Sequence, residues 1–339
     1  MATYRAVEVT GARDFRLVDR EPVDPAPNQV RLRVEYCGIC HTDILAAEGG
    51  LRSNPEQPLV PGHEIVGVID AVGPGVGSWQ VGERVGVGFL AGHCWECDEC
   101  RRGDFVNCRN QQQTGTTIDG GYAEVAYARA SGLVRIPDDV PSAEAAPLLC
   151  AGLTTFTGLQ QTGARPGALV AVQGIGGLGH LALQYAASLG YRVVAIARGR
   201  EKEPLARRLG AQHYIDSSEQ DVADALRSLG GAAAVVATAA SGSAMSPLVA
   251  GLAPRGKLVV LGAAADPIQL NTADLLFGTR TVQGHLTGTP IDNEDNLSFS
   301  ATHGIRPRIE VFPLSEAPKA YEHMLFGRAR FRAVLDTRA

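Results

Sequence analysis

The chain has 339 residues, 45% hydrophobic and 20% charged, with a net charge of -5. That length predicts about two domains, and the composition is that of a folded globular protein, which excludes a disordered one. The acidic balance and the lack of a Lys/Arg cluster argue against nucleic-acid binding, and the longest apolar run, Ala232 to Ala240 broken by Thr238, is too short to span a bilayer.

In chain order, Val30, Leu32, Val34 and Tyr36 alternate with charged residues, the pattern of a half-buried strand. Glu64–Val72, Val81–Val87 and Tyr122–Ala128 read as further short strands between Gly/Pro turns, together a barrel-like β domain. Near residue 150 the texture changes. Leu169–Val172, Arg192–Ala197, Ala232–Ala237 and Lys257–Leu261 read as buried strands. They are separated by helical stretches at Leu178–Leu189, Glu201–Leu209 and Ser243–Leu252. That alternation predicts βαβ units and a parallel sheet. From about Pro290 the rhythm is lost. The first residues, MATYRAVEVT, lack a signal-peptide core, so a cytoplasmic protein is expected. In that compartment seven cysteines read as metal ligands or reactive thiols rather than disulfides.

Four of them, Cys94, Cys97, Cys100 and Cys108, lie in HCWECDECRRGDFVNC. Four thiolates complete a tetrahedral shell with no open position, so this block predicts a structural zinc that closes a surface loop. The other three are dispersed. Cys37 and Cys40 flank Gly38-Ile39, and Cys150 sits in LLCAGLTT. Singly, Cys150 reads as well as a core thiol, Cys37 with Cys40 as a redox pair, and His63 as an ordinary satisfied histidine. Jointly, Cys40, His63 and Cys150 offer two thiolates and an imidazole with a fourth position left for substrate, a ligand set whose type example is alcohol dehydrogenase.

These motifs carry a resemblance. Gly38-Ile39-Cys40-His41-Thr42-Asp43, Gly62-His63-Glu64, the four-cysteine block, Cys150 and the glycine turn Gly174-Ile175-Gly176-Gly177-Leu178-Gly179 occur in the order found in zinc-containing medium-chain alcohol dehydrogenases, which the chain resembles over essentially its whole length. The resemblance implies an α/β protein with a GroES-like β catalytic domain (1–148 and 290–339) and a Rossmann doubly wound parallel sheet (149–289), the active site lying in the cleft between. It implies two Zn2+ per subunit. The catalytic zinc would lie on Cys40, His63 and Cys150, with Glu64 nearby and Asp43 orienting the histidine. Thr42 would take the alcohol proton and pass it through the cofactor ribose to water or to His41, or by a shorter relay. Many members carry a histidine at the position of Leu45, so this relay departs from theirs. Cys37 has no counterpart and is expected to be a small buried residue. Leu51 and Phe89 are implied to line the substrate pocket, and Arg332 to meet the cofactor pyrophosphate, unless it is a solvated charge among its arginine neighbours. A homo-oligomer, dimer or tetramer, is implied as well.

The glycine turn follows a strand and opens a helix, the context a dinucleotide fingerprint requires. There the backbone of Gly174, Gly176, Gly177, Leu178 and Gly179 can approach a pyrophosphate at a helix N-terminus. An Asp or Glu at the end of the next strand would hold an NAD ribose. Here that position is Ala197, eighteen residues after Gly179 and followed by Arg198-Gly199-Arg200. The missing carboxylate and the two guanidinium groups favour NADP(H), with NAD(H) the alternative and both arginines then solvated surface charges. The expected reaction is reversible hydride transfer between NAD(P)+ and a neutral primary alcohol, with secondary or aromatic alcohols also in range, giving an aldehyde or ketone. A polyol dehydrogenase would carry a glutamate in place of Cys150. A zinc-free quinone reductase would lack both cysteine sets, and a catalytically silent nucleotide binder would have lost part of Cys40, His63, Cys150 or Thr42.

Overall fold

The computed structural model describes residues 3–49 and 57–339, and among these it divides into two compact units, Met1–Ala151 with Gly288–Ala339, and Gly152–Thr287. Cys150, on the Rossmann side of the boundary expected from the sequence, is placed by the structure in the first unit.

In chain order the strands are β1 (Tyr4–Val9), β2 (Phe15–Arg20), β3 (Gln29–Ile39), β4 (Glu64–Val72), β5 (Arg84–Val87), β6 (Val125–Arg129), β7 (Leu133–Arg135), β8 (Leu169–Gln173), β9 (Arg192–Ala197), β10 (His213–Asp216), β11 (Ala232–Ala237), β12 (Leu252–Val260), β13 (Thr281–Gly284), β14 (Ile309–Pro313) and β15 (Arg332–Asp336). In the first unit β1 and β2 form a hairpin, and the main sheet runs β14-β15-β3-β4-β5-β7 with β6 also on β3. The long strand β3 is the hub: it is antiparallel to β4, β6 and β15. Its alternation carries through to the structure, with Val30, Leu32 and Val34 buried in a core that includes Ile39, Ile65, Val85 and Tyr122. Because β15 pairs with the C-terminal half of β3, residues near both ends of the chain meet beside Ile39 and Cys40.

The second unit is a six-stranded parallel sheet in the order β10-β9-β8-β11-β12-β13. Numbered within the unit this is 3-2-1-4-5-6, the doubly wound order. Every residue of β8 is buried, as a parallel strand covered on both faces must be, which explains its unbroken apolar sequence. Among the described residues no helix is long and apolar enough to cross a membrane.

Several expected elements shift. The strand expected over Tyr122–Ala128 begins only at Val125. Tyr122 stands outside it, held by backbone bonds to Pro61 and Val7. The helix expected over Ser243–Leu252 is a single α-turn, Gly242–Met245, followed by 3-10 turns over Ser246–Gly251; Pro247 removes the N–H a longer helix needs. The arrhythmic tail folds in turn into the helix Pro290–His303, β14, the helix Ala317–Leu325 and β15.

Candidate active site and metal centres

β3 ends at Ile39, and a tight turn leads into the short helix Asp43–Ala47. This places Cys40, Thr42 and Asp43 at the end of the hub strand. His63 and Glu64 open β4, the neighbour of β3, and Gly38 pairs directly with Glu64. Cys150 lies in a five-residue π-helical turn, Leu148–Gly152. The two thiols, a ring nitrogen of His63 and a carboxylate oxygen of Glu64 lie within 4.8 Å of one another, and Cys40 Sγ is 3.9 Å from Cys150 Sγ.

Asp43 sets the orientation of the histidine. Its Oδ1 is 2.9 Å from His63 Nδ1, and its Oδ2 accepts from the Cys40 N–H at 2.9 Å and from the Tyr122 hydroxyl at 2.8 Å. Asp43, His63 and Tyr122 are all essentially inaccessible to water. With Nδ1 facing the carboxylate, His63 Nε2 is left buried and without a hydrogen-bond partner. Such an orphan costs about 1–3 kcal/mol unless something occupies it. Two thiols beside an unpartnered imidazole nitrogen are the donor chemistry of zinc, so the residues fit the metal.

Glu64 is fully buried, and its Oε1 accepts from Arg332 Nη2 at 2.5 Å. Burial pushes its carboxyl up to about 7, against the pull of Arg332. Gly38 makes room for it: a Cβ there would stand 1.9 Å from Glu64 Oε2. Arg332 corrects one reading, because it is 3% exposed and paired rather than a solvated charge among its neighbours. Burial alone would lower its pKa, but the charges of Glu64, Cys40 and Cys150 outweigh it and hold the guanidinium charged. Among the groups sequence reasoning missed are Tyr122 and the Glu64–Arg332 pair, joined across the sheet by β15 and β3.

Thr42 is half-buried, its hydroxyl 3.7 Å from Cys40 Sγ, and it caps no helix N–H although it sits at a helix N-terminus. His41 is exposed beside it, and so is Leu45. The Phe89 ring meets His63 edge-on at 5.3 Å. Leu51 lies outside the described residues. Cys37 is fully buried, and a Cβ added at Gly62 or Gly121 would run into its sulfur.

Cys94, Cys97, Cys100 and Cys108 also bring their sulfurs within 4.8 Å of one another. The backbone N–H groups of Glu96 and Cys97 point at Cys94 Sγ, and these two bonds lower the Cys94 thiol to about 6. Four sulfurs around one centre fit a closed zinc shell.

In the second unit the glycine turn links β8 to the helix Gly179–Ser188. Gly174 has φ +90° and Gly179 packs so close that a Cβ would lie 1.8 Å from Gly174 O, whereas a Cβ on Gly176 would meet nothing within 4 Å. A tight turn with open space over its middle glycine fits a pyrophosphate. Lys202 Nζ donates to Ile175 O in this turn at 2.9 Å. At the end of β9, Ala197 is followed by exposed Arg198, by Gly199 with φ +70°, and by Arg200, 3.6 Å from Glu203. The nearby carboxylate, Asp216, is engaged by the N–H of Gly199 at 2.8 Å and by the N–H and hydroxyl of Ser218.

Comparison with known proteins matches this geometry. Residues 26–138 match the alcohol dehydrogenase GroES-like domain and residues 177–302 the zinc-binding dehydrogenase domain. An alcohol dehydrogenase of Aspergillus sp. is 46% identical over 92% of this chain and 91% of its own length. One from Penicillium expansum is 43% identical over 92% and 91%. Among solved structures, a cinnamyl alcohol dehydrogenase from Sorghum bicolor superposes with a TM-score of 0.89 at 31% identity, covering 100% of this chain and 98% of that one. With both domain models matched and relatives of this identity spanning almost all of it, the chain belongs to the zinc-type medium-chain alcohol dehydrogenase family and is an alcohol dehydrogenase.

Proposed function

We propose that this alcohol dehydrogenase holds a catalytic zinc on Cys40, His63 and Cys150 and a structural zinc on the four-cysteine block, and that it prefers NADP(H). The observation that carries the first part is the buried, unpartnered His63 Nε2 within reach of two thiols. Zinc bound there supplies a Lewis acid for the substrate oxygen, and the nicotinamide supplies the hydride acceptor. The chain's residues do the rest. Asp43 fixes the His63 tautomer, and Tyr122 fixes Asp43. The Thr42 hydroxyl, uncommitted to helix capping, takes the alcohol proton and passes it toward solvent on the exposed His41 side.

The glycine turn from Gly174 to Gly179 receives the pyrophosphate, while Arg332 is engaged by Glu64. The NADP(H) preference rests on Ala197, Arg198 and Arg200: no carboxylate ends β9, and Asp216 is occupied with backbone and Ser218. The substrate is a neutral alcohol or aldehyde, with Leu51 and Phe89 as its apolar surroundings; likeness to a cinnamyl alcohol dehydrogenase supports aromatic alcohols in that class. A homo-oligomer and a cytoplasmic location complete the reading.

The test of the cofactor assignment is the ratio of kcat/KM for NADP+ and NAD+, in the wild type and in Ala197→Asp with Arg198→Ile. The wild type should favour NADP+, and the double variant should reverse the ratio by roughly tenfold or more, about 1.4 kcal/mol. A wild type already favouring NAD+, or an unmoved ratio in the variant, contradicts it.

A further inference from the structure

Cys150 is the one catalytic-site ligand carried by a π-helical turn, Leu148–Gly152, rather than by a strand end. A π turn widens the backbone ring, its carbonyls accepting from the N–H five residues on rather than four. Two such carbonyls are met by side chains of the helix Pro290–His303. Asn293 Nδ2 donates to Leu149 O at 3.0 Å, and Asn296 Nδ2 donates to Leu148 O at 3.0 Å and to Asn293 Oδ1 at 3.2 Å. Three residues apart, both amides lie on one helix face, and both are at most 1% exposed. A capping box fixes the start of that helix: Thr289 Oγ1 accepts from the Asp292 N–H, and the Asp292 carboxylate accepts from the Thr289 N–H at 2.8 Å.

The turn is also pressed by glycines. A Cβ at Gly86 would lie 2.6 Å from Leu149 Cδ2, and one at Gly88 would lie 3.0 Å from Leu149 O. The residue preceding Cys150 is therefore gripped through its carbonyl by Asn293 and from the side by the β5 backbone. An amide in an apolar core is unfavourable unless its hydrogen bonds are made, and packing alone would be served by leucine. What amides add is direction.

We propose that Asn293 and Asn296 are positioning residues for the catalytic metal: by holding the π turn they aim Cys150 Sγ at Cys40 and His63. This rests on the reading that Cys40, His63 and Cys150 bind zinc. The experiment compares wild type with Asn296→Leu, Asn293→Ser, Cys150→Ser and, as a control for simple loss of core packing on the same helix, Leu297→Ala. Zinc per chain is counted, zinc loss to a chelator is followed in time, and the visible spectrum is recorded with Co2+ in place of the catalytic zinc.

Wild type should hold two zinc ions and Cys150→Ser one. Asn296→Leu should lose one zinc about 10–100-fold faster, keep the other, and show displaced cobalt bands. Leu297→Ala, fully buried in the wild type, should lower Tm with zinc loss and spectrum unchanged. Asn293→Ser keeps a shorter donor, should lie between wild type and Asn296→Leu, and decides the matter if Asn296→Leu does not fold. Folded asparagine variants with wild-type zinc loss and spectrum, or Leu297→Ala matching them, overturn the positioning role. A Cys150→Ser protein that still holds two zinc ions overturns the ligand reading itself.

Discussion

Asp43 shows how much of the site depends on single contacts. One buried carboxylate orients His63, receives the Cys40 N–H and is itself anchored by Tyr122. Tyr122→Phe removes only the anchor. It should weaken catalytic zinc binding about tenfold, at the lower end for partners of metal ligands, and cost about 1–3 kcal/mol of stability, measured by zinc competition and by denaturant unfolding. Thr42 gives the complementary case: in the proposed reading it acts on substrate, and its side chain caps no helix N–H. Thr42→Ser should keep most activity, and Thr42→Val should lower kcat by about 100-fold or more with cofactor affinity unchanged, the size of a lost proton-transfer group. The clustering of the four cysteines was legible because Cys94 to Cys108 sit close together in sequence, at a spacing that lets their sulfurs converge. Tyr122, Arg332, Asn293 and Asn296 were not, because each reaches its partner only after distant strands or helices have packed. A tyrosine or asparagine in an ordinary stretch of sequence carries no mark of that.

At the scale of elements, the glycine turn is where sequence and packing agree most closely. Gly174 is needed for its positive φ, and Gly179 because its helix start lies against the Gly174 carbonyl. Gly179→Ala should displace the turn, cost about 1–3 kcal/mol as an overpacked contact, and raise the KM for cofactor more than it lowers kcat; steady-state kinetics with thermal unfolding checks both. Gly176→Ala meets no protein atom and should leave stability unchanged. The buried strands were legible because parallel strands are apolar throughout. The expected helix at Ser243–Leu252 was misread because its apolar residues recur at helical spacing while Pro247 breaks the hydrogen-bond ladder. The elements of the tail were not legible for a different reason: strand β14 is only partly buried and shows no clean alternation.

At the scale of the whole molecule, both candidate metal-ligating sets, the four-cysteine block and Cys40 with His63, Glu64 and Cys150, lie within the first unit. Two units were readable from the change of texture near residue 150, although the boundary falls just after Cys150 instead of before it. The measurement that bears most directly on the account counts zinc and follows absorbance at 340 nm with a primary alcohol and NADP+, in wild type, His63→Ala and Cys97→Ser. Wild type should hold two zinc ions and generate reduced cofactor. His63→Ala should retain one zinc, keep its fold and produce none. Cys97→Ser should also retain one zinc but fail first by a lowered Tm, because its metal contributes folding energy. A wild type with fewer than two zinc ions, or a His63→Ala protein that still reduces NADP+ at the wild-type rate, would contradict the account.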